Sequence, residues 1–284
     1  IRLYNAGIML FIFIFTVISA TLYAGSIILE VIMGWNMWVS SVILICGTGL
    51  YVILGGLRAV IYTENIQSII LIIGGLIVSI YSFNAVGGIK GLREYYKDTN
   101  QMNMARKIDD KDWPWLGLYV SIILGGYYYW NCNQMLVQRV LCSKSNLHAK
   151  YGCIFASTLK ILPVFMMVIP GMISVILYKN EFINDNATDY DLAYPTLVIN
   201  LLPNGLIGIV IASMLSALMS SLASVYNSAS TIITNDIYKI IYPDVNDKKL
   251  VKIGRISSLI FIIISVLWLP IIKNGNSELF IYIQ

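Results

Sequence analysis

In the segment GLIGIVIASMLSALMSSLASVYNSASTIITND, Ser213, Ser216, Ala217, Ser220, Ser221, Ser224, Asn227, Ser228 and Thr231 recur at steps of three and four residues. On a helix that spacing gathers them on one face, with Leu215, Leu218 and Leu222 turned elsewhere. The face offers oxygens without formal charge. It suits close helix packing, and it equally suits a dehydrated alkali cation, a hard ion that prefers oxygen ligands. Two other places set polar groups in apolar surroundings. One is Lys160, in STLKILPVFMMVIPGM. The other is GGYYYWNCNQMLVQR, where Gly125 and Gly126 precede Tyr127, Tyr128, Tyr129 and Trp130 and then the amides Asn131, Asn133, Gln134 and Gln138. Aromatic rings with polar tips can stack on the apolar face of a sugar while donating hydrogen bonds.

The elements that must position these groups are membrane helices. Of the 284 residues, 58% are hydrophobic and 12% charged, against about 25% charged in an ordinary soluble domain. Seven apolar stretches lie near the ~20 residues that a bilayer-crossing helix needs: about 7–33, 38–56, 65–86, 115–141, 152–178, 205–236 and 254–272. All seven are expected to be helical. The opening at Ile1, without an initiator Met or a signal-peptide cleavage pattern, and the apolar run ELFIYIQ at the end both suggest a piece of a longer chain.

Orientation follows from the short connections. Arg2, Arg58, Arg139, Lys144, Lys150, Lys239, Lys248, Lys249, Lys252 and Arg255 fall on the side of the chain start, against Lys179 and Lys273 opposite, so the first side is expected to be cytoplasmic. The long 87–114 connection is then outward, and its Lys and Arg are nearly balanced by Glu94, Asp98, Asp109, Asp110 and Asp112. The net charge of +4 is thus an orientation signal and does not point to nucleic acid. Cys46, Cys132, Cys142 and Cys153 have no metal-ligand spacing, His148 stands alone, and the sequon Asn186-Ala-Thr188 falls in an outward loop.

An unpaired charge within a span costs roughly 2.5–3.5 kcal/mol on insertion scales, so such a residue is a site hypothesis by default. Lys160 could instead snorkel to the interface. It lies ten residues past Lys150, or ~15 Å of helical rise, which puts it near mid-membrane and beyond easy snorkelling. Pro163 and Pro170 predict a kinked helix with freed carbonyls. The Gly125–Gly126 pair allows a break or a close backbone approach. An interfacial aromatic belt remains open for Tyr127 and Tyr128. A belt does not ordinarily run straight into four amides, however.

These residues carry a resemblance to the sodium/solute symporter family, and within it to the sodium/glucose cotransporter branch. The matching stretches are GGLRAVIYTENIQ at 55–67, YWNCNQMLVQRVLCSKS at 129–145, STLKILPVFMMVIPGMIS at 157–174, AYPTLVINLLPNGLIG at 193–208 and SALMSSLASVYNSASTIITNDIYK at 216–239. The resemblance implies that the Ala217 carbonyl and the Ser220 and Ser221 hydroxyls form half of a sodium site. It implies that Glu64, where the family usually has Asp, guides sodium on its path. Tyr129 matches a gating tyrosine that covers the solute, Trp130 its neighbour at the solute, and Lys160 a lysine that hydrogen-bonds sugar hydroxyls. Gly126 stands where a sugar-binding Asn or Thr is expected, so one hydrogen bond to the solute is missing or comes from Tyr127. Ala223 stands where members using two sodium ions carry Thr, although Ser224 is kept, which favours one sodium per cycle.

The implied fold is an all-α polytopic membrane protein with part of a five-plus-five inverted-repeat transporter core. Residues 1–86 would be the last part of the first repeat and 115–284 the first part of the second. The implied function is secondary active, sodium-coupled symport of a sugar or polyol by alternating access in a cell membrane. Na+ is the co-transported ion, and no organic cofactor, catalytic residue or obligatory protein partner is called for; the partners are the solute and the bilayer. The competing expectations are a non-sugar solute such as sialic acid or an amino acid, proton coupling, or the membrane input domain of a sensor.

Overall fold

A computed structural model describes residues 1–97, 106–109, 114–182 and 189–274. Those residues form helices and connections, with no strand among them. In hydrocarbon every backbone polar group must be satisfied within its own segment, so apolar runs of this length become helices. Arg2–Met33, Met37–Ala85, Asn146–Tyr178, Asn204–Ile241 and Asp247–Pro270 are each long and apolar enough to cross a membrane. The sequon at Asn186 and the run at 278–284 lie outside the described residues.

The chain forms two compact units, Ile1–Ser82 with Met166–Gln284, and Phe83–Phe165. The first begins with α1 (Arg2–Ile12), a π-helical turn (Phe13–Ile18) and α2 (Ser19–Met33), which ends at Gly34 in the left-handed region. Next comes α3 (Met37–Ala85), whose 49 residues would extend for roughly 75 Å, more than two bilayer cores. Gly56, at φ 58 and ψ −158, divides it into two spans, as the expected stretches 38–56 and 65–86 require. A side chain would be strained at that φ.

After Met166 the first unit continues through α8 (Ile169–Phe182), a short 3-10 turn, α9 (Ala193–Leu201) and α10 (Asn204–Ile232). A second π segment (Ile233–Tyr238), the single turn α11 (Lys239–Ile241) and the long α12 (Asp247–Asn274) complete it. Its interior is built on α10, where Leu222, Ala223, Val225, Tyr226 and Ala229 are buried. The Tyr226 hydroxyl donates to Ser265 of α12 at 3.2 Å, and the Trp268 indole N–H donates to Ser19 at 2.8 Å. Arg2 pairs with Asp236 at 2.6 Å and so fastens the start of α1 to the π segment.

The second unit holds the end of α3, α4 (Gly88–Tyr95), α5 (Trp115–Asn131), α6 (Gln134–Leu141) and α7 (Asn146–Leu159). Here the structure corrects two expectations. The 115–141 stretch is two helices, and α5 runs unbroken through Gly125 and Gly126. The break comes at Cys132–Asn133, where Asn133 is extended and its side-chain oxygen accepts from the Met135 N–H at 2.9 Å. Glycine permits a break but does not force one, whereas an Asn that caps a new helix starts one.

The proline kink is present. Helix α7 ends in a turn at Lys160 and Ile161, and Pro163 leads into a π segment (Val164–Val168) before α8. Pro170 has no N–H to return to the Met166 carbonyl four residues back. The Tyr194 hydroxyl of α9 donates to that carbonyl at 3.3 Å. Burial pushes the Tyr194 phenol up to about 12, so it holds its proton for this bond.

Candidate functional site

Two sets of residues stand out, one in each unit. The first is the polar face of α10 (Asn204–Ile232). Most of its hydroxyls bond back to their own helix: Ser213 to the Val210 carbonyl at 2.7 Å, Ser221 to Ala217 at 3.1 Å, Ser224 to Ser220 at 2.7 Å and Thr231 to Asn227 at 2.9 Å. This is the usual recourse of Ser and Thr inside a helix, and it leaves lone pairs pointing outward.

The face divides by its neighbours. At Gly74 of α3 a Cβ would collide with Ser213 Oγ and Cβ, so that end of the stripe serves close helix packing. Ser216 and Ser228 are buried as well. Between them Ala217, Ser220 and Ser221 are only half-buried. Ala217 also lines a cavity of about 500 Å³ enclosed by α2, α3, α8, α9 and α10.

Glu64 joins this face through a residue outside the expected ligand set. Its Oε1 lies 2.7 Å from the Ser224 hydroxyl, which is also 2.7 Å from the Ser220 carbonyl. One hydroxyl hydrogen is therefore shared between a carboxylate and a carbonyl one turn from Ala217. The signal for Ser224 was its place four residues after Ser220 on the stripe. Nothing in the sequence showed that α3 would bring Glu64 to it.

The second set lies where α5 (Trp115–Asn131) and α7 (Asn146–Leu159) end. Tyr129 and Trp130 occupy the last turn of α5, edge to face with centroids 5.3 Å apart. Lys160, the residue that closes α7, holds its ammonium 5.1 Å from the Tyr129 ring and 5.0 Å from the Trp130 ring. Each contact is worth about 0.5–1 kcal/mol at an exposed position. Gly126 lies one turn before Trp130, with no heavy atom within 4 Å of where a Cβ would stand. Tyr127 is 68% exposed and its carbonyl accepts from Asn131 Nδ2 at 3.0 Å.

The chemistry of the two sets differs. The α10 face presents neutral oxygens and one nearby carboxylate, a donor set for a hard monovalent cation. The α5–α7 set presents a cation on two aromatic faces, which can donate to hydroxyl oxygens and stack against a ring. The described residues contain no group of His, Cys, Asp and Glu that could hold a transition metal.

Residues 1–284 match the model of the Sodium:solute symporter family. The chain is 39% identical to the sodium/myo-inositol cotransporter 2 of Bos taurus, over 98% of the chain and 46% of that protein. It is 36% identical to the sodium/mannose cotransporter of Bos taurus, over 100% of the chain and 52% of that protein. The chain thus spans about half the length of the curated relatives it matches. Its fold is that of a Na+-coupled sialic acid symporter solved in a substrate-bound outward-open state, with a TM-score of 0.79 over 96% of this chain and 57% of the other at 22% identity. The chain is a multi-pass membrane protein that belongs to the sodium:solute symporter family.

Proposed function

We propose that the protein of which this chain is part carries a sugar or polyol across a cell membrane by sodium-coupled symport. The observation that carries the reading is the Lys160 ammonium held over both Tyr129 and Trp130. These are the residues assigned to the solute, and they lie 30 positions apart in the chain. In this reading Lys160 donates to solute hydroxyls, Trp130 stacks on the ring and Tyr129 closes over it. Gly126 widens the site where relatives of the branch would place an amide or hydroxyl. Relatives that carry myo-inositol and mannose support a polyhydroxylated ring as the cargo.

Sodium, as co-transported cargo, would lie against the Ala217 carbonyl and the Ser220 and Ser221 hydroxyls. The hydroxyl of Ser221 would keep its bond to the Ala217 carbonyl and still present a lone pair. Glu64, held by Ser224, would mark the ion's path. Each sodium entering along an inward-negative potential supplies about 2.3 kcal/mol per 100 mV, besides its concentration term. The division into residues 1–86 as the end of one repeat and 115–284 as the start of its inverted partner belongs to the same proposal.

The test is uptake by the full-length protein in liposomes under an inward sodium gradient, against myo-inositol, mannose, glucose, sialic acid and amino acids. Saturable, sodium-dependent uptake of a polyol or sugar is expected. Uptake that ignores sodium, or that is confined to amino acids, overturns the reading.

A further inference from the structure

Where Gly56 breaks α3 (Met37–Ala85), a second cavity of about 290 Å³ opens between that break, the end of α10 (Asn204–Ile232) and the first turns of α12 (Asp247–Asn274). Two backbone carbonyls on its wall, of Gly254 and Ser230, are in use. Ser230 and Ser258 both donate to the Gly254 carbonyl, at 2.8 and 3.1 Å, and Thr234 donates to Ser230 at 2.8 Å. Donors remain. Asn227 lines the cavity at 7% exposure, and its amide nitrogen has no hydrogen-bond partner, a costly state for a buried donor. Arg255 lines it too and has no ion-pair or hydrogen-bond partner among the described residues.

The surroundings extend this charge. Lys248 and Lys252 precede Arg255 by seven and three residues, so the three share one exposed face of α12, with Lys249 beside them. Asp244 and Asp247 offset only part of it. The same cavity is edged by apolar side chains that face outward: Leu54 is 69% exposed and Val251 58%. A positive donor pocket bordered by apolar surface, at the end of membrane helices, has the chemistry of a phosphate attached to hydrocarbon. Clusters of Lys and Arg beside a membrane helix attract anionic lipid in this way.

We propose that this cavity binds the headgroup of an anionic phospholipid. Its phosphate oxygens accept from Arg255 and the Asn227 amide, and an acyl chain lies along Leu54 and Val251. The ligand chemistry is a phosphate oxyanion, and the hydrocarbon contact separates a lipid from a soluble phosphate.

The test is the melting temperature of the full-length protein in detergent with added phosphatidylglycerol, phosphatidylcholine or inorganic phosphate. Phosphatidylglycerol is expected to raise it by about 3 °C or more, with the other two leaving it unchanged. Arg255→Gln abolishes the rise and Arg255→Lys keeps most of it. Val251→Ser, at an exposed position that leaves the fold intact, reduces the rise by about half. An equal rise with inorganic phosphate would overturn the lipid assignment. So would a phosphatidylglycerol effect that survives Arg255→Gln.

Discussion

In the proposed function the polar face of α10 and the aromatic–lysine set at the ends of α5 and α7 would solve opposite problems. On α10 the oxygens are neutral and half-buried or buried, and the hydroxyls of Ser213, Ser221, Ser224 and Thr231 are held by bonds within the helix. At the other set the reactive groups are exposed: Tyr129 at 42% and Trp130 at 46%, with the Lys160 ammonium on their faces. A monovalent cation is small and gains from oxygens fixed beforehand, because no helix must reorganise to receive it. A polyhydroxylated ring is larger and needs room, a flat surface and a donor that can swing between hydroxyls. On that proposal the open space at Gly126, the Trp130 ring and the flexible lysine stem would supply all three.

The sharpest way to break this contrast is at Lys160. In the full-length protein, Lys160→Gln is expected to raise the solute concentration for half-maximal uptake by roughly 10–100-fold, the worth of a charge-assisted hydrogen bond, with sodium dependence unchanged. A shift in sodium dependence instead would show that the two sets do not act separately.

The packing end of the stripe gives the next effect. Gly74→Ala places a methyl against Ser213 and is expected to lower stability by about 1–3 kcal/mol, read as an earlier thermal transition. Adding Ser213→Gly should recover most of the loss. Should Gly74→Ala melt like the parent, Ser213 is not a packing residue and the division of the stripe fails.

The smallest effect is expected at the ion. If Ser221 is a ligand as proposed, Ser221→Ala removes one neutral oxygen and should raise the sodium concentration for half-maximal uptake by about 2–10-fold. Solute half-saturation at saturating sodium should stay within about twofold. Unaltered sodium dependence would place the cation away from Ser221.

Much of this architecture could be read from hydropathy alone. The long apolar runs became helices because a bilayer leaves the backbone no other partner. The polar stretch after Gly56 marked the separation of two spans, which the structure divides at Gly56 itself. Helix α5 was harder. Gly125–Gly126 invited a break, yet the chain turns at Asn133, because a cap acts through one hydrogen bond that composition does not reveal. The candidate site residues could be named one by one through their likeness to a family. Their meeting was not, since Lys160 reaches Trp130 only after the chain has folded through α6 and α7. The pairing of Ser224 with Glu64 escaped notice for the same reason: the two are 160 residues apart.

The bond from Tyr194 to the Met166 carbonyl has a mechanical side. Because Pro170 gives nothing back to that carbonyl, the bent segment ahead of α8 lacks that one bond and is braced there by a strut from α9. A strut 3.3 Å long is already near the limit of its reach, and roughly half an ångström more would release it. Small travel of α9 is therefore enough to change the stiffness of α8, much as slackening a single guy line frees a mast to lean.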